Sequence, residues 1–500
     1  MNIAHLFARS AGRAADLPAV ALGATVLLDQ AGLAVRAARI AGSLRDRLGL
    51  VPGDRVALAM RNHPDYVELL AGIWWAGLAA VPVNVALHPA ELAWILGHSG
   101  ARLAFVGPDL AEVEGPERVI VAGSAEARAL RDGEALALAG RAPGDLAWLF
   151  YTSGTTGRPK GAMITHGNLL AMTAGFLADV EQPRPGDAML HPAPLSHGSG
   201  LYLVPHVARA CCQVIPESGG FDAAEVFGLV ARWPGSRLFA APTAVRRLVR
   251  HAAVHGPDLA NLEAVIYGGA PMYRADLDEA HAVLGFRLAQ IYGQGESPMT
   301  ITALDRRGHA DRAHPRWSER LGSAGTAQLG IEVRIGDADG KPLPPGEPGE
   351  VMARGAAVVP GYWQDPAATA RTMGDGWLRT GDVGLLDADG FLYLRDRSKD
   401  LVITGGLNVY PREVEEVLLA HPAVREVAVI GLPDAEWGER VVACVVAEPP
   451  VPDAELDAWC LARIARFKRP KAYVAMASLP KNAYGKILKR ELRASLGEER

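Results

Sequence analysis

The feature that most constrains this chain is a repeated alternation of helix-period segments with short, wholly apolar runs. LAVRAARIAGSLRDRLGL (33–50) has a helical period, VALAM (56–60) reads as a strand and DYVELLAGIWWAGLAA (65–80) as a second helix. VPVNV (81–85) and LAFVG (103–107) read as further strands, and the alternation continues through LAWLFY (146–151) and VIYGG (265–269). Such strands are apolar on both faces, so the pattern predicts parallel sheets covered by helices. The pattern changes after about residue 321. IEVRIG, EVMARG and FLYLRD alternate and are separated by Gly, Pro and Asp turns, which predicts antiparallel pairing. Beyond 400, PREVEEVLLA, EVAVIGL, RVVACVVAE and DAWCLARIARF read helix–strand–strand–helix. The expected class is therefore α/β and α+β. A large N-terminal domain with mixed sheets covers 1–395, a linker 396–400, and a small α+β domain 401–500.

With 500 residues the chain exceeds one ordinary hydrophobic core, in keeping with two domains. Its 51 basic and 56 acidic residues are dispersed, and no basic block favours nucleic acid. Cys211, Cys212, Cys444 and Cys460 have neither zinc spacing nor a disulfide framework, which points to a reducing, cytoplasmic setting. The start of the chain has no signal-peptide pattern. LAGIWWAGLAAVPV (70–83) is shorter than the roughly 20 residues a membrane span requires. It is expected to be a buried helix followed by a strand.

The most informative local segment is YTSGTTGRPKG, Tyr151 to Gly161, between the strand candidate LAWLF and the helix candidate THGNLLAMTAGFLA. Its glycines let the backbone curl, so that N–H groups and the hydroxyls of Thr152, Ser153, Thr155 and Thr156 face one centre. Lys160 adds a mobile positive charge. With Gly154 and Gly157 this suits a triphosphate such as ATP, in a strand–loop–helix setting. GTTGRPKG does not fit the GxxxxGK[ST] pattern, so no motor or GTPase is implied. A plain Gly-rich surface turn is the bland alternative.

Together with YGQGES (292–297), TGD (380–382), DRSKDLVITGGLNVYPREVE (396–415) and KNAYGKILKR (481–490), this loop resembles the adenylate-forming superfamily, especially the acyl-CoA synthetases. The resemblance covers nearly the whole chain. It implies a large domain and a mobile C-terminal lid with the active site between them. The implied reaction has two steps: a carboxylate attacks the α-phosphate of ATP to give acyl-AMP and pyrophosphate, and a thiol then takes the acyl group with AMP leaving. ATP, Mg2+ and coenzyme A are the implied cofactors and cosubstrates.

Lys486, beside Gly485 in a basic strip, is the leading catalytic candidate. The resemblance assigns it to orienting carboxylate and α-phosphate; on composition alone it would be a solvated surface lysine. The resemblance gives Glu296 to Mg2+, an oxygen-ligand task, with Thr155 as a second metal-side candidate. It places Tyr292 against adenine, with Gly293 and Gln294 beside it. Without the resemblance, Glu296 reads as an exposed helix-start acid and Tyr292 as core packing. Asp382, in an expected tight turn, would accept the ribose hydroxyls, with Arg397 approaching ribose or phosphate. Gly268, Gly269 and Ala270 are small enough for adenine or acyl group to approach the backbone. Lys399 aligns with the hinge position, and Gly406 with close passage of the CoA arm. Trp437, Gly438 and Glu439 are read as outer channel or lid packing.

Position 295 departs from the family pattern Tyr-Gly-x-Thr-Glu, being Gly where a Thr hydroxyl is usual. His197, in HPAPLSHGSG (191–200), is similar to the histidine that orients the substrate carboxylate. Ser199, Gly295, Pro298 and Met299, with Gly198 and Gly200, are candidates for a neutral acyl pocket. PAPLSHGSG lacks the aspartate that amino-acid-activating relatives offer. The expected substrate is an aryl or alkyl monocarboxylic acid, although Arg246 and Arg247 keep a second acidic group open. CoA is the expected acceptor. The alternatives are a separate carrier protein, a luciferase-like oxidative enzyme, and a non-catalytic nucleotide sensor or scaffold. Monomer and homodimer are both open.

Overall fold

The structure is a computed structural model. It describes residues 1–110, 113–152, 158–270, 272–397, 400–404, 407–434, 437–482 and 486–497, with backbone only at 396 and 397. Among the described residues the strands form four sheets.

Arg55–Ala59, Ala79–Pro82, Ala101–Val106 and Leu146–Thr152 run parallel in a six-stranded sheet, as their apolar composition predicts. The helix Pro64–Trp75 is buried along its whole length. Its Trp74 packs on Trp148 with ring centroids 6.0 Å apart and donates its indole N–H to the Ala147 carbonyl at 2.8 Å. Truncating such a fully buried indole costs about 3–5 kcal/mol. This helix stops five residues before the sequence pattern suggests. Gly77 turns the chain at φ +75°, and Ala79–Pro82 is already strand. No helix among the described residues is long and apolar enough to cross a membrane.

A nine-stranded sheet carries Ala188–Leu190, Ser236–Ala240, Leu262–Tyr267 and Leu288–Gln294 as parallel neighbours, with antiparallel strands towards both edges. The later alternating segments pair antiparallel as expected: Ile331–Gly336, Gly349–Gly355, Leu378–Leu386 and Leu392–Arg397 form the third sheet. In the small C-terminal domain the helix Pro411–Leu419 packs on Val424–Asp434 and Gly438–Ala447. Pro411 takes the first helical turn, where its missing N–H costs nothing.

Two expectations are corrected. The segment after the Gly/Thr loop does not lead directly into a helix. Lys160–Thr165 is a strand antiparallel to Leu146–Thr152, with Thr152 opposite Lys160, so the loop connects two paired strands. The helix His166–Asp179 starts only after it. There Thr165 and Asn168 cap each other, each side-chain oxygen accepting the other's backbone N–H. Asp382 is also not in a tight turn but inside the strand Leu378–Leu386, where Gly381 at φ +70° interrupts the ladder.

Candidate active site

Two hairpins meet at the ends of their strands. The first is Leu146–Thr152 with Lys160–Thr165; its tip residues Ser153, Gly154, Thr155, Thr156 and Gly157 lie outside the described residues. The second is Leu288–Gln294 with Ser297–Leu304, and Gly295 and Glu296 form its tip. A Cβ placed on Gly295 would lie 2.6 Å from Thr152 Cγ2 and 2.8 Å from Phe150 Cδ1. The tip of the second hairpin therefore packs against Phe150 and Thr152 of the first hairpin's strand, and the absence of a side chain at 295 is what allows it. The space a Thr would use there is filled by Thr152 and the Phe150 ring.

Glu296 is buried at this turn, which removes the exposed helix-start alternative. Its Oε1 accepts from the Tyr362 hydroxyl at 2.5 Å, and the Lys160 ammonium lies 5.3 Å from the centre of the same ring. Burial raises the Tyr362 phenol well above its ordinary pKa, and the neighbouring Glu296 carboxylate adds to the effect, so Tyr362 remains a donor. Tyr362 escaped sequence reasoning. The signal was the GYW triplet at 361–363. It is stitched along the first hairpin by Met163 N–H to Gly361 carbonyl at 3.0 Å and Trp363 N–H to Gly161 carbonyl at 2.8 Å. Glu296 is thus a preorganised buried carboxylate next to the Gly/Thr hairpin. One carboxylate among phosphate oxygens fits Mg2+, which rarely needs an all-protein cage.

Beside it, Asp382 Oδ2 accepts from Tyr292 Oη at 2.7 Å and from Gln294 Nε2 at 2.7 Å, while Gln294 also donates to the Thr380 carbonyl at 2.9 Å. Three candidates for the nucleotide, drawn from two distant segments, thus form one hydrogen-bonded cluster, with Tyr292 and Asp382 buried and Gln294 partly exposed. Asp382 stands opposite Arg397 in backbone register; the Arg397 side chain lies outside the described residues. Gly268 is required where it is, since a Cβ there would meet the Ile291 carbonyl oxygen at 2.6 Å. Gly269, at φ +81°, opens onto empty space, with Ala270 partly exposed beside it. Gly293 is equally constrained, since a Cβ there would lie 2.9 Å from the Thr300 backbone nitrogen.

His197 occupies the position just before the helix Gly198–Val207 without capping it through its side chain, and its ring centroid lies 5.0 Å from that of Phe150. Burial among apolar groups pushes its pKa down to about 4, so at neutral pH it offers an uncharged imidazole. Ser199 is fully buried, hydrogen-bonded to His191 Nδ1 at 2.8 Å, and His191 Nε2 reaches Gln213 Oε1 at 3.0 Å. Pro298 is buried in its strand. Met299, in the left-handed region at φ +58°, is partly exposed and sits over Gly198.

Lys486 lies in the C-terminal domain, exposed, next to Ile487, which forms an isolated antiparallel bridge with Lys481. Its backbone N–H donates to Asn482 Oδ1 at 2.9 Å, and its carbonyl accepts from Asn482 N–H at 2.9 Å. Lys399 and Gly406 lie outside the described residues. Trp437 is exposed, and Glu439 accepts from the Ile403 N–H at 2.7 Å. The two domains touch through Glu415. Its Oε2 accepts from Tyr273 Oη of the large domain at 2.8 Å, and its Oε1 holds both the Val429 N–H and Lys489, each at 2.8 Å. Arg412 adds donors to the Leu394 and Met272 carbonyls at 3.3 and 3.5 Å.

The family model described as AMP-binding enzyme matches residues 7–363, and the AMP-binding enzyme C-terminal domain matches 413–486. Feruloyl-CoA synthase of an Amycolatopsis species is 38% identical over 491 residues, covering 96% of each chain. The fatty acid–[acyl-carrier-protein] ligase ScoC of Streptomyces coeruleorubidus is 36% identical, covering 91% of this chain and 89% of its own. The crystal structure of ATP-bound MatB from Rhodopseudomonas palustris superposes with a TM-score of 0.89 at 31% identity, covering 100% of this chain and 99% of MatB.

Proposed function

The chain belongs to the AMP-binding enzyme family, and on that premise we propose that it is an AMP-forming carboxylic acid–CoA ligase for an aryl or alkyl monocarboxylic acid. The observation that carries this reading is the cluster of Tyr292, Gln294 and Asp382, hydrogen-bonded at 2.7 Å beside the Gly/Thr hairpin. It is a preorganised acceptor for a nucleotide's vicinal hydroxyls, set next to a tip rich in phosphate-binding residue types.

In the first step a carboxylate oxygen attacks the α-phosphorus of ATP, the bond to the β-phosphate oxygen breaks, and pyrophosphate leaves with that electron pair. In the second step a thiol sulfur attacks the acyl carbonyl, loses its proton, and the carbonyl–oxygen bond to AMP breaks. Lys486 orients carboxylate and phosphate and offsets their charge in the first step. His197, neutral, donates to or accepts from the carboxylate without presenting a competing cation. Asp382 holds the ribose, with Arg397 beside it, and Tyr292, Gly268, Gly269 and Ala270 frame the base. Lys160 and the tip residues 152–157 hold the phosphates. Glu296, steadied by Tyr362, is the protein ligand for Mg2+, which when bound neutralises phosphate charge.

Residues 1–395 form the nucleotide- and acid-binding domain, and 396–400 the hinge, with Lys399 at its pivot. Residues 401–500 form the lid, in which Gly406 lets the CoA arm pass. The four cysteines are buried free thiols, which supports a reducing, cytoplasmic setting. The similarity to ScoC favours one second reading, in which the thiol belongs to a carrier protein.

The test is acid-dependent pyrophosphate release with Mg-ATP across alkyl, aryl, dicarboxylic and amino acids, followed by addition of CoA. The expected products are AMP and an acyl-CoA thioester. Thioester formed only on a pantetheinylated protein would move the assignment to carrier loading. Nucleotide binding without turnover of any acid would leave a sensor.

A further inference from the structure

The helix Pro89–Ser99 carries Trp94 and His98 four residues apart, so the two side chains are neighbours on its surface. Their rings stack, with centroids 4.9 Å apart and 26° between the planes. The helix under them is firmly held. His88 and Glu91 cap its start reciprocally, and Leu92, Ile95 and Leu96 are buried in one apolar cluster with Leu149 and Tyr151.

Each ring holds a different arm of the hairpin that carries the Gly/Thr loop. His98 Nδ1 lies 2.9 Å from Tyr151 Oη, on the strand entering the loop. Burial pushes the Tyr151 phenol up and the His98 imidazole down, so the phenol donates and the neutral ring accepts. Trp94 holds the segment leaving the loop. Its indole N–H donates to the Pro159 carbonyl at 3.3 Å, and the Arg158 guanidinium carbon lies 4.6 Å from the centre of its ring. Tyr151 also lies against Gly161, where a Cβ would be 3.1 Å from Tyr151 Cζ.

The Pro159 carbonyl is the contact with consequences. It belongs to the planar peptide unit that joins Pro159 to Lys160, so holding that oxygen sets the direction in which Lys160 leaves the loop. The Lys160 ammonium is then met from the other side by the Tyr362 ring at 5.3 Å. Trp94 and His98 are only partly buried and Arg158 is exposed, so the stack lies at the edge of the core and its contacts converge on the ends of the loop. Ordering a loop at the moment of binding is deducted from affinity, and a clamp built beforehand removes that cost.

We infer that Trp94 is a positioning residue for ATP: the stack of Arg158, Trp94 and His98 fixes both ends of the Gly/Thr loop, and with them Lys160, before the triphosphate arrives. This rests on the ligase reading above and adds to it a residue that acts through the loop.

The experiment uses the full chain as wild type, Trp94→Leu, Trp94→Phe, Arg158→Met and the double variant Trp94→Leu/Arg158→Met. It measures KM for ATP, acid and CoA, and equilibrium binding of Mg-ATP, which needs no acid. Trp94→Leu is expected to raise KM for ATP about 10-fold, with kcat and the other two KM values within about twofold of wild type. Trp94→Phe keeps a ring for Arg158 and His98 but loses the N–H, and should raise KM for ATP only about threefold. Arg158→Met should cost little once Trp94 is gone, because the two act as one unit. Mg-ATP binding should weaken in the same order.

An unchanged KM for ATP in Trp94→Leu, or KM values for ATP, acid and CoA that rise together, overturns the inference. So does an Arg158→Met loss as large in the Trp94→Leu background as alone, which would make Arg158 a direct phosphate ligand. A wild type that binds Mg-ATP but turns over no acid removes the ligase reading, and the binding ratios still decide the clamp. No Mg-ATP binding by wild type removes both. If Trp94→Leu does not fold, Trp94→Phe and Arg158→Met decide.

Discussion

Tyr273 donates its hydroxyl hydrogen to Glu415 across the domain seam at 2.8 Å, joining residues 142 positions apart. Glu415 is only 3% exposed and is also held by Val429 N–H and Lys489, so it projects from a rigid part of the C-terminal domain. If that domain turns as proposed, the bond must break. Tyr273→Phe is therefore expected to shift the balance between orientations by about 1 kcal/mol, roughly fivefold. Adenylation and thiol transfer, measured separately, should change unequally, with little change in unfolding stability. Equal changes in both half-reactions would remove the latch role.

Gly295→Thr restores the residue usual in the family but is expected to harm this protein. Its Cβ would meet Thr152 and the Phe150 ring at 2.6 and 2.8 Å. Overpacking of this kind costs about 1–3 kcal/mol. The variant should melt lower and adenylate more slowly, and adding Phe150→Leu should recover part of both. A single variant as stable and active as wild type would show that Gly295 does not pack against Phe150 and Thr152 in solution.

Lys486→Ala is expected to slow adenylation by about 100-fold or more, the scale for removing a group that stabilises developing charge. Transfer from supplied acyl-AMP should fall far less. Because the residue is exposed, the melting temperature should hold. Matching losses in the two half-reactions would take the adenylation role away from this lysine.

His166, His191 and His197 have pKa values near 4, and His206 and His309 near 3, all pushed down mainly by burial. Above the unfolded value of 6.5 neither state is protonated and these groups cost nothing. As pH falls below it, the unfolded chain takes up protons that the native state refuses, so stability falls. The loss continues to about 4 for the first three and to about 3 for the others, and then levels off. The urea midpoint at about pH 5.5 should lie clearly below that at about pH 7.5. Coincident midpoints would mean that these rings are hydrated in solution.

The expected parallel and antiparallel regions both form, because apolar runs buried on two faces and alternating runs buried on one are properties of the local sequence. KGAMIT escaped as a strand because it opens with Lys160 and Gly161, which read as loop; only its pairing with Leu146–Thr152 makes it one. Asp382 suggested a turn because it follows Gly381, yet the neighbouring strands hold it in a sheet. The helix Gly198–Val207, with Pro205 inside it, carries no clean amphipathic pattern because every residue of it is buried.

By itself the sequence determined most of the local elements and the two-domain plan. Both follow from residue types at short spacing, where periodicity and backbone freedom act directly. The class of chemistry was legible through the resemblance of five motifs to a known family. Tertiary structure alone decided which side chains meet. Tyr292 reaches Asp382 over 90 positions, and Tyr362 reaches Glu296 over 66. A hydrogen bond is made or lost within a few tenths of an ångström, and that distance is set by how whole sheets pack, which no local pattern encodes.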